Sequence, residues 1–277
     1  MSFIIVTDSA ADLRNIKDNV RFATVPLTIR AGEKEFVDDN NLVVQEMIDY
    51  LKDYKGKSST ACPSVSAWTD AFDDSTEVMC FTITSGLSGS YNSAKVAKDE
   101  YESEHPDRKV YIVDSLSTGP EMKLLIEKAI ELHLAGEEYD SICQKVEEYK
   151  KSTGLLFSLE SLNNLANNGR VSVVVAKFAG ILGMRIVGKA SFKGELETLD
   201  KCRGEKKTIA KLFSRLKELG YKGGKVRIDH CNNLNAANTL KEIIVSEFGN
   251  VDIVIGETTG LCSFYAEQGG LLIGFEA

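Results

Sequence analysis

The residues best equipped for chemistry cluster in one stretch, Thr82-Ile83-Thr84-Ser85-Gly86-Leu87-Ser88-Gly89-Ser90-Tyr91-Asn92-Ser93-Ala94. Ser85, Ser88 and Ser90 supply hydroxyls that donate or accept hydrogen bonds. Gly86 and Gly89 let the backbone turn tightly and come close to a ligand. The apolar run from Val78 to Ile83 suits a buried strand, and Tyr91 to Glu104 reads as a helix. A helix start at that spot adds unpaired N–H groups and a partial positive charge, which favour an anion. A plain helix cap at Ser88 or Ser90 explains the same residues.

Two other strands end in polar pairs, Asp8-Ser9 and Asp114-Ser115. In open α/β sheets ligands sit at that carboxyl edge, so these loops converge on a small anionic head group. Asp8 and Asp114 are also read as loop staples or caps rather than a general acid and base. The phosphate loop G-x-x-x-x-G-K-[ST] is absent, and Gly86-Leu87-Ser88-Gly89 lacks the third glycine of a dinucleotide fingerprint. Gly86-Leu87-Ser88-Gly89-Ser90 falls one residue short of a hydrolase nucleophile elbow. An acyl or phosphoryl ester hydrolase or transferase with Ser88 as nucleophile and His230 as base therefore stands as the alternative, and it needs the two within hydrogen-bond reach.

The elements that must hold these loops alternate. Strands are expected at Phe3 to Thr7, Phe22 to Ile29 (with Pro26 pushing it to a sheet edge), Val78 to Ile83 and Lys109 to Val113. Ser9 and Asp12 have capping-box spacing. Helices are expected at Val43 to Asp53, Val65 to Phe72, Glu121 to Leu134 and Tyr139 to Lys150, and Ser58 to Ser64 reads as a polar connector. This alternation predicts an α/β fold with a largely parallel first sheet.

Beyond residue 152 the pattern becomes mixed. Leu155 to Ser158 is a strand and Leu159 to Asn167 a short helix. Val171 to Leu182 is an apolar run, read as buried core or as pocket lining. Arg185 to Ala190 and Glu195 to Lys201 form a hairpin across Lys193-Gly194. Helices at Thr208 to Leu219 and Leu234 to Phe248 separate strands at Lys225 to Asp229, Asp252 to Gly256 and Gly270 to Phe275. Two α/β domains, 1–152 and 153–277, fit a chain of 277 residues.

Composition narrows the partners. With 33 basic and 41 acidic residues the net charge is −8, which argues against nucleic acid. The six cysteines show no C-x-x-C pair and no clustering with the three histidines, so scattered free thiols are expected and no metal site. No window approaches the roughly 20 apolar residues of a membrane span, and Phe3-Ile4-Ile5-Val6 is too short for a signal-peptide core. A cytoplasmic protein without stable membrane insertion is expected. Lys201-Cys202-Arg203-Gly204-Glu205-Lys206-Lys207 is a basic knot in this acidic chain, either a solvated loop or a docking patch.

Seven stretches in order resemble the DegV family of fatty-acid-binding proteins. They are Val6 to Leu13, Val25-Pro26-Leu27, Thr60 to Ser64, Thr84 to Ala94, Val113-Asp114-Ser115, Asn168-Gly169-Arg170-Val171-Ser172 and Lys201 to Lys207. The resemblance implies two α/β domains with a long-chain fatty acid between them, no cofactor and no catalysis by this chain alone. It places the carboxylate at Thr60 and Ser88, with Ser85, Gly89 and Asn92 shaping the loop and Ser64 and Arg170 nearby. It also implies a separate ATP-dependent fatty-acid kinase subunit as partner; if the basic knot is a docking patch, Arg203, Lys206 and Lys207 carry it. This chain departs from the family pattern at Ala61, where a hydroxyl is lost, at Asn168 in the glycine pair before Arg170, and at Thr258, where a histidine close to the head group is expected. Either the chain binds fatty acid but hands it to a kinase poorly, or His230 approaches from the neighbouring strand end as a substitute.

Overall fold

A computed structural model of the chain describes residues 2–17, 19–172 and 183–277. Its strands in chain order are β1 (Phe3–Asp8), β2 (Arg21–Val25), β3 (Thr28–Ala31), β4 (Lys34–Val37), β5 (Ser58–Ala61), β6 (Glu77–Thr82) and β7 (Lys109–Asp114). They continue with β8 (Thr153–Leu159), β9 (Met184–Ala190), β10 (Leu196–Arg203), β11 (Val226–His230), β12 (Ile253–Glu257) and β13 (Leu271–Glu276). Three sheets result, ordered β2-β1-β6-β7, β10-β9-β8-β13-β11-β12 and β4-β3-β5.

The first sheet is parallel throughout. Every residue of β1 is buried, as expected of a strand covered on both faces. Phe3 and Ile5 point into a core shared with the helices Gly119–Leu134 and Tyr139–Lys150. Ile4 and Val6 alternate onto the opposite core, with Trp68, Phe72 and Ala94 from the helices Val65–Phe72 and Ser90–Glu104. The expected α/β architecture with a parallel first sheet is thus the observed one.

The six-stranded sheet is antiparallel except for β11 with β12. Leu156, Ile228 and Ile273 face the helices Glu205–Glu218 and Leu234–Phe248. Leu155, Phe157, Leu159 and Leu272 face the other way. The Gly119–Leu134 helix packs against both large sheets and is tied to β11 by two ion pairs. Lys123 donates to Asp229 at 2.7 Å, and Glu127 pairs with Arg227 at 2.7 Å one turn along. Arg227 also meets Asp252 at 3.0 Å, so a buried guanidinium is satisfied by two carboxylates.

Several expected boundaries move, each for a local reason. Phe22 to Ile29 is two strands: Pro26 lacks the N–H a ladder needs, so β2 ends at Val25 on the edge of the first sheet and β3 begins the three-stranded one. Ser58–Ala61 pairs with β3 as a strand instead of a connector. β8 runs through Leu159, leaving only Asn163–Asn167 helical. Asp8, not Ser9, accepts at the N-terminus of the 3-10 turn Ser9–Ala11, and Asp12 closes it in the left-handed region at φ 53°. The helix Gly260–Ala266 and β4 have no counterpart in the sequence reading. Of the apolar run 171–182, only Val171 and Ser172 are among the described residues.

Asp8 locks the Ser85–Ser90 loop. Its Oδ2 accepts the Ile83 N–H at 2.9 Å and the Ser90 hydroxyl at 2.6 Å, and its Oδ1 accepts the Ala10 N–H at 3.2 Å. Burial nevertheless pushes the Asp8 carboxyl up to about 7, against the pull of those hydrogen bonds. Burial likewise pushes the Glu121 carboxyl up to about 7, against the hydrogen bond from Thr153 at 2.8 Å. An acid that holds its proton more tightly when folded stabilises at low pH and loses that contribution as pH rises from its unfolded pKa through its folded one. Stability should therefore fall between about pH 4 and about pH 7 and then level off. Asp8→Asn keeps an acceptor for Ile83 and should show a smaller fall in urea midpoint over that window. A variant with the wild-type slope would show that Asp8 is ionised throughout.

Candidate functional site

An apolar cavity lies between the first sheet's loops and one face of the six-stranded sheet, the concave, hydrocarbon-lined kind of site that small molecules occupy. β8 contributes Leu155, Phe157 and Leu159, with Leu272 from β13 and Leu196 from β10. Leu27, Ile83 and Leu87 close it from the first half, Leu165 from the short helix, and Leu261, Cys262 and Ala266 from the Gly260–Ala266 helix. The three β8 residues sit at alternate positions, so their side chains share one face over about 13 Å of strand.

Four polar side chains interrupt this lining: Thr60, Ser88, Arg170 and Tyr265, with Thr118 further along the wall. Thr60 Oγ1 and the Tyr265 hydroxyl are hydrogen-bonded at 2.8 Å. The Arg170 guanidinium lies 5.9 Å from the Tyr265 ring centroid, in cation–π range. Arg170 Nε donates to the Leu87 carbonyl at 3.1 Å and Nη1 to the Asn168 carbonyl at 2.5 Å, which fixes the fork, and Nη2 has no hydrogen-bond partner among the described residues. Ser88 Oγ accepts the Ser90 N–H at 3.2 Å. That bond uses a lone pair, so the Ser88 proton is free to be donated. Ser88 thus meets the first N–H of the Ser90–Glu104 helix and lines the cavity at once. Burial pushes the Tyr265 phenol up, against the Thr60 hydrogen bond and the Arg170 charge, so it keeps its proton and stays a donor. Hydroxyl donors and one guanidinium at the end of a hydrocarbon-lined cavity suit a carboxylate on an alkyl chain.

A polar depression lined by Gly86, Asn168, Gly169, Ser172 and Glu195 shares Leu87, Arg170 and Leu196 with the cavity. Here the β9–β10 hairpin tip meets the serine loop: Thr84 Oγ1 donates to the Gly194 carbonyl at 2.9 Å while accepting the Gly86 N–H at 3.0 Å.

The expected site residues divide into groups. Thr60, Ser88 and Arg170 line the cavity together. Ser85 and Asn92 are exposed, and the Ser85 N–H donates to Asp114 at 3.1 Å, so they shape the loop without lining the cavity. Gly89 is the N-cap of the Ser90–Glu104 helix, and a side chain there would begin 3.3 Å from Cys62 Sγ. Ser64 caps the Val65–Phe72 helix by accepting the Ala67 N–H at 3.1 Å. Thr258 and His230 do not line the cavity. They share a separate depression with Arg14, Gln45, Glu257 and Ser263, where Thr258 bonds Ser263 at 2.7 Å and His230 Nδ1 accepts the Asn233 N–H at 3.4 Å. No hydrogen bond joins Ser88 to His230 among the described residues, and the two line different depressions. Arg203, Lys206 and Lys207 are exposed at the end of β10 and the start of the next helix. No group of His, Cys, Asp or Glu among the described residues could hold a metal ion, and no helix there is long and apolar enough to cross a membrane.

Tyr265 is the residue that sequence reasoning missed. It lines the cavity beside Thr60, while Thr258, where the resemblance expects a histidine, lies outside that lining.

Known proteins bear on this arrangement. A DegV domain-containing protein of Streptococcus pneumoniae is 40% identical over 279 residues, covering 100% of this chain and 99% of the relative. The crystal structure of a DegV family protein from Eubacterium eligens loaded with heptadecanoic acid superposes with a TM-score of 0.97 at 43% identity, over 100% of both chains. The Streptococcus pneumoniae Fatty Acid Kinase (Fak) B3 protein loaded with linoleic acid superposes with a TM-score of 0.98 at 40% identity, covering 100% of this chain and 99% of that one. The family model described as "uncharacterised protein, DegV family" matches residues 2–277. The chain belongs to the DegV family.

Proposed function

We propose that this chain binds a long-chain fatty acid and presents its carboxylate to a separate ATP-dependent kinase subunit. The observation that carries the reading is the cavity itself, hydrocarbon-lined and ending in Thr60, Ser88, Arg170 and Tyr265. Its support from relatives is that two structures at 40% identity or more carry heptadecanoic and linoleic acid, one of them a fatty acid kinase B protein. Burying about twelve methylenes at about 0.8 kcal/mol each contributes on the order of 10 kcal/mol gross. Ordering and association remove much of it, leaving micromolar or tighter binding. Ser88 and the Thr60–Tyr265 pair donate to the carboxylate, and the Arg170 charge offsets its desolvation. The chain carries and orients; phosphoryl transfer belongs to the partner.

Ser88→Ala and Tyr265→Phe each remove a donor to a desolvated charge and should weaken fatty-acid binding by about 1–3 kcal/mol, while Thr258→Ala leaves it unchanged. Displacement of a fluorescent fatty acid measures all three. An unaltered dissociation constant for both Ser88→Ala and Tyr265→Phe, or a large loss for Thr258→Ala, would move the head group elsewhere. Reversing the charges of Arg203, Lys206 and Lys207 together should abolish acyl-phosphate formation with a kinase subunit from the same organism and leave lipid affinity intact. If phosphorylation persists in that triple variant, the basic knot is only a solvated surface.

A further inference from the structure

Behind the cavity wall lie two buried carboxylates that are each only half used. Asp12 Oδ1 accepts the Thr259 N–H at 2.7 Å and the Thr259 hydroxyl at 2.9 Å. Asp229 Oδ1 accepts the Lys123 ammonium at 2.7 Å. The second oxygen of each is buried without a hydrogen-bond partner among the described residues. An orphaned buried oxygen is costly and calls for an explanation. Both orphans face one place: the point where a side chain on Gly119 would begin lies 3.2 Å from Asp12 Oδ2 and 3.8 Å from Asp229 Oδ2. Leu272 Cδ1, part of the cavity wall, lies 3.3 Å from the same point. Gly119 itself has φ +51°, so its missing side chain leaves this space open.

The surrounding charges do not balance. Two carboxylates face one ammonium, and all three groups are buried. Toward Asp12 lie Asp38, whose own cation Arg14 sits at 3.4 Å, and the thiols of Cys262 and Cys231. Toward Asp229 lie His230 and Glu127, the latter committed to Arg227. Among the described residues Lys123 is the one ammonium paired with either acid, and His230 is the other group whose positive charge would pull Asp229 down. With both acids ionised the cluster carries a net negative charge in a dry interior, which is far more costly than binding one proton. Burial, and then the charge of Asp229, push the Asp12 carboxyl up to about 7 against the pull of Lys123. Burial raises Asp229 in the same direction, again against Lys123.

We propose that Asp12 and Asp229 form a proton-binding site beneath the cavity, holding one proton between them, and that filling the cavity with a hydrocarbon chain tightens its hold on that proton. The coupling follows from the wall. Thr118, Cys262 and Leu272 separate the pair from the cavity, and replacing water on their far side with alkyl chain makes the ionised pair harder to solvate. By linkage, loading takes up a fraction of a proton, and raising the pH weakens retention by at most about tenfold per unit. Asp12 also holds the N-terminal end of the Gly260–Ala266 helix through Thr259, so the same carboxylate positions the wall that carries Tyr265.

The coupling rests on the fatty-acid reading; the shared proton does not. Infrared difference spectra of the ligand-free protein across about pH 6 to 8 should contain a titrating protonated-carboxyl band that is absent in Asp12→Asn and in Asp229→Asn. Asp8 and Glu121 contribute similar bands, and the wild-type-minus-variant comparison removes them. Calorimetric titration with linoleate near pH 7, in two buffers of different ionisation enthalpy, should show proton uptake by the wild type and none by Asp12→Asn, whose amide oxygen still accepts from Thr259. Should Asp12→Asn not fold, Asp229→Asn carries both comparisons. A band unchanged in the variants overturns the proton site, and equal uptake by wild type and variant overturns the coupling. If linoleate does not bind the wild type at all, the lipid reading fails while the infrared titration still decides the proton.

Discussion

The architecture depends on buried carboxylates from the first forty residues accepting backbone N–H groups from far along the chain. Asp8 takes the Ile83 N–H, Asp12 takes Thr259, and Asp38 takes Gly260 and Leu261 at 2.7 and 2.8 Å. Each donor sits where a strand has ended and no ladder partner exists, so it must find an acceptor elsewhere or be buried unpaired. A carboxylate is the strongest acceptor available, and one side chain satisfies two or three donors. Both polar walls of the cavity, the serine loop and the Gly260–Ala266 helix, are therefore hung from one strand end and its neighbours. Losing such an acceptor would strand a buried donor at a cost of about 1–3 kcal/mol and would displace a wall as well.

Much of the fold was legible because long periodic elements declare themselves. The helices Val65–Phe72, Tyr139–Lys150 and Leu234–Phe248 begin and end where the sequence pattern sets them. Short elements were not legible. Gly260–Ala266 spans two turns, too few for periodicity to speak, and it carries Tyr265. Tyr265 meets Thr60 across 205 positions, a pairing made by tertiary closure alone. Thr60, Ser88 and Arg170 could be named in advance because their neighbours form motifs. Asp8 was read as a loop staple, and its distant partners, Ile83 and Ser90, were invisible.

The cavity was illegible for a different reason. Along β8, Leu155, Phe157 and Leu159 face the empty space while Leu156 packs against the helices behind the sheet. Both faces are apolar because both are shielded from water, so alternation does not distinguish a leucine that touches a ligand from one that touches a helix. What separates them is what the chain lays over each face, packed helices behind the sheet and the cavity wall in front. That is a property of the chain's path, and no window of residues contains it.

The seam between the two halves at the cavity's polar end is made by main chain. The Gly194 carbonyl receives Thr84, and a side chain on Gly194 would begin 1.9 Å from Thr84 Oγ1. The Lys193 carbonyl lies 2.8 Å from where one on Gly86 would begin. Phe192, by contrast, is 86% exposed at the same hairpin tip. Inheritance can therefore act on this tip in two independent registers. The glycines are held by geometry and admit almost no change, while the residues beside them answer only to whatever meets them from solution. A lineage could rewrite the outward face of the hairpin repeatedly without ever loosening the clasp beneath it.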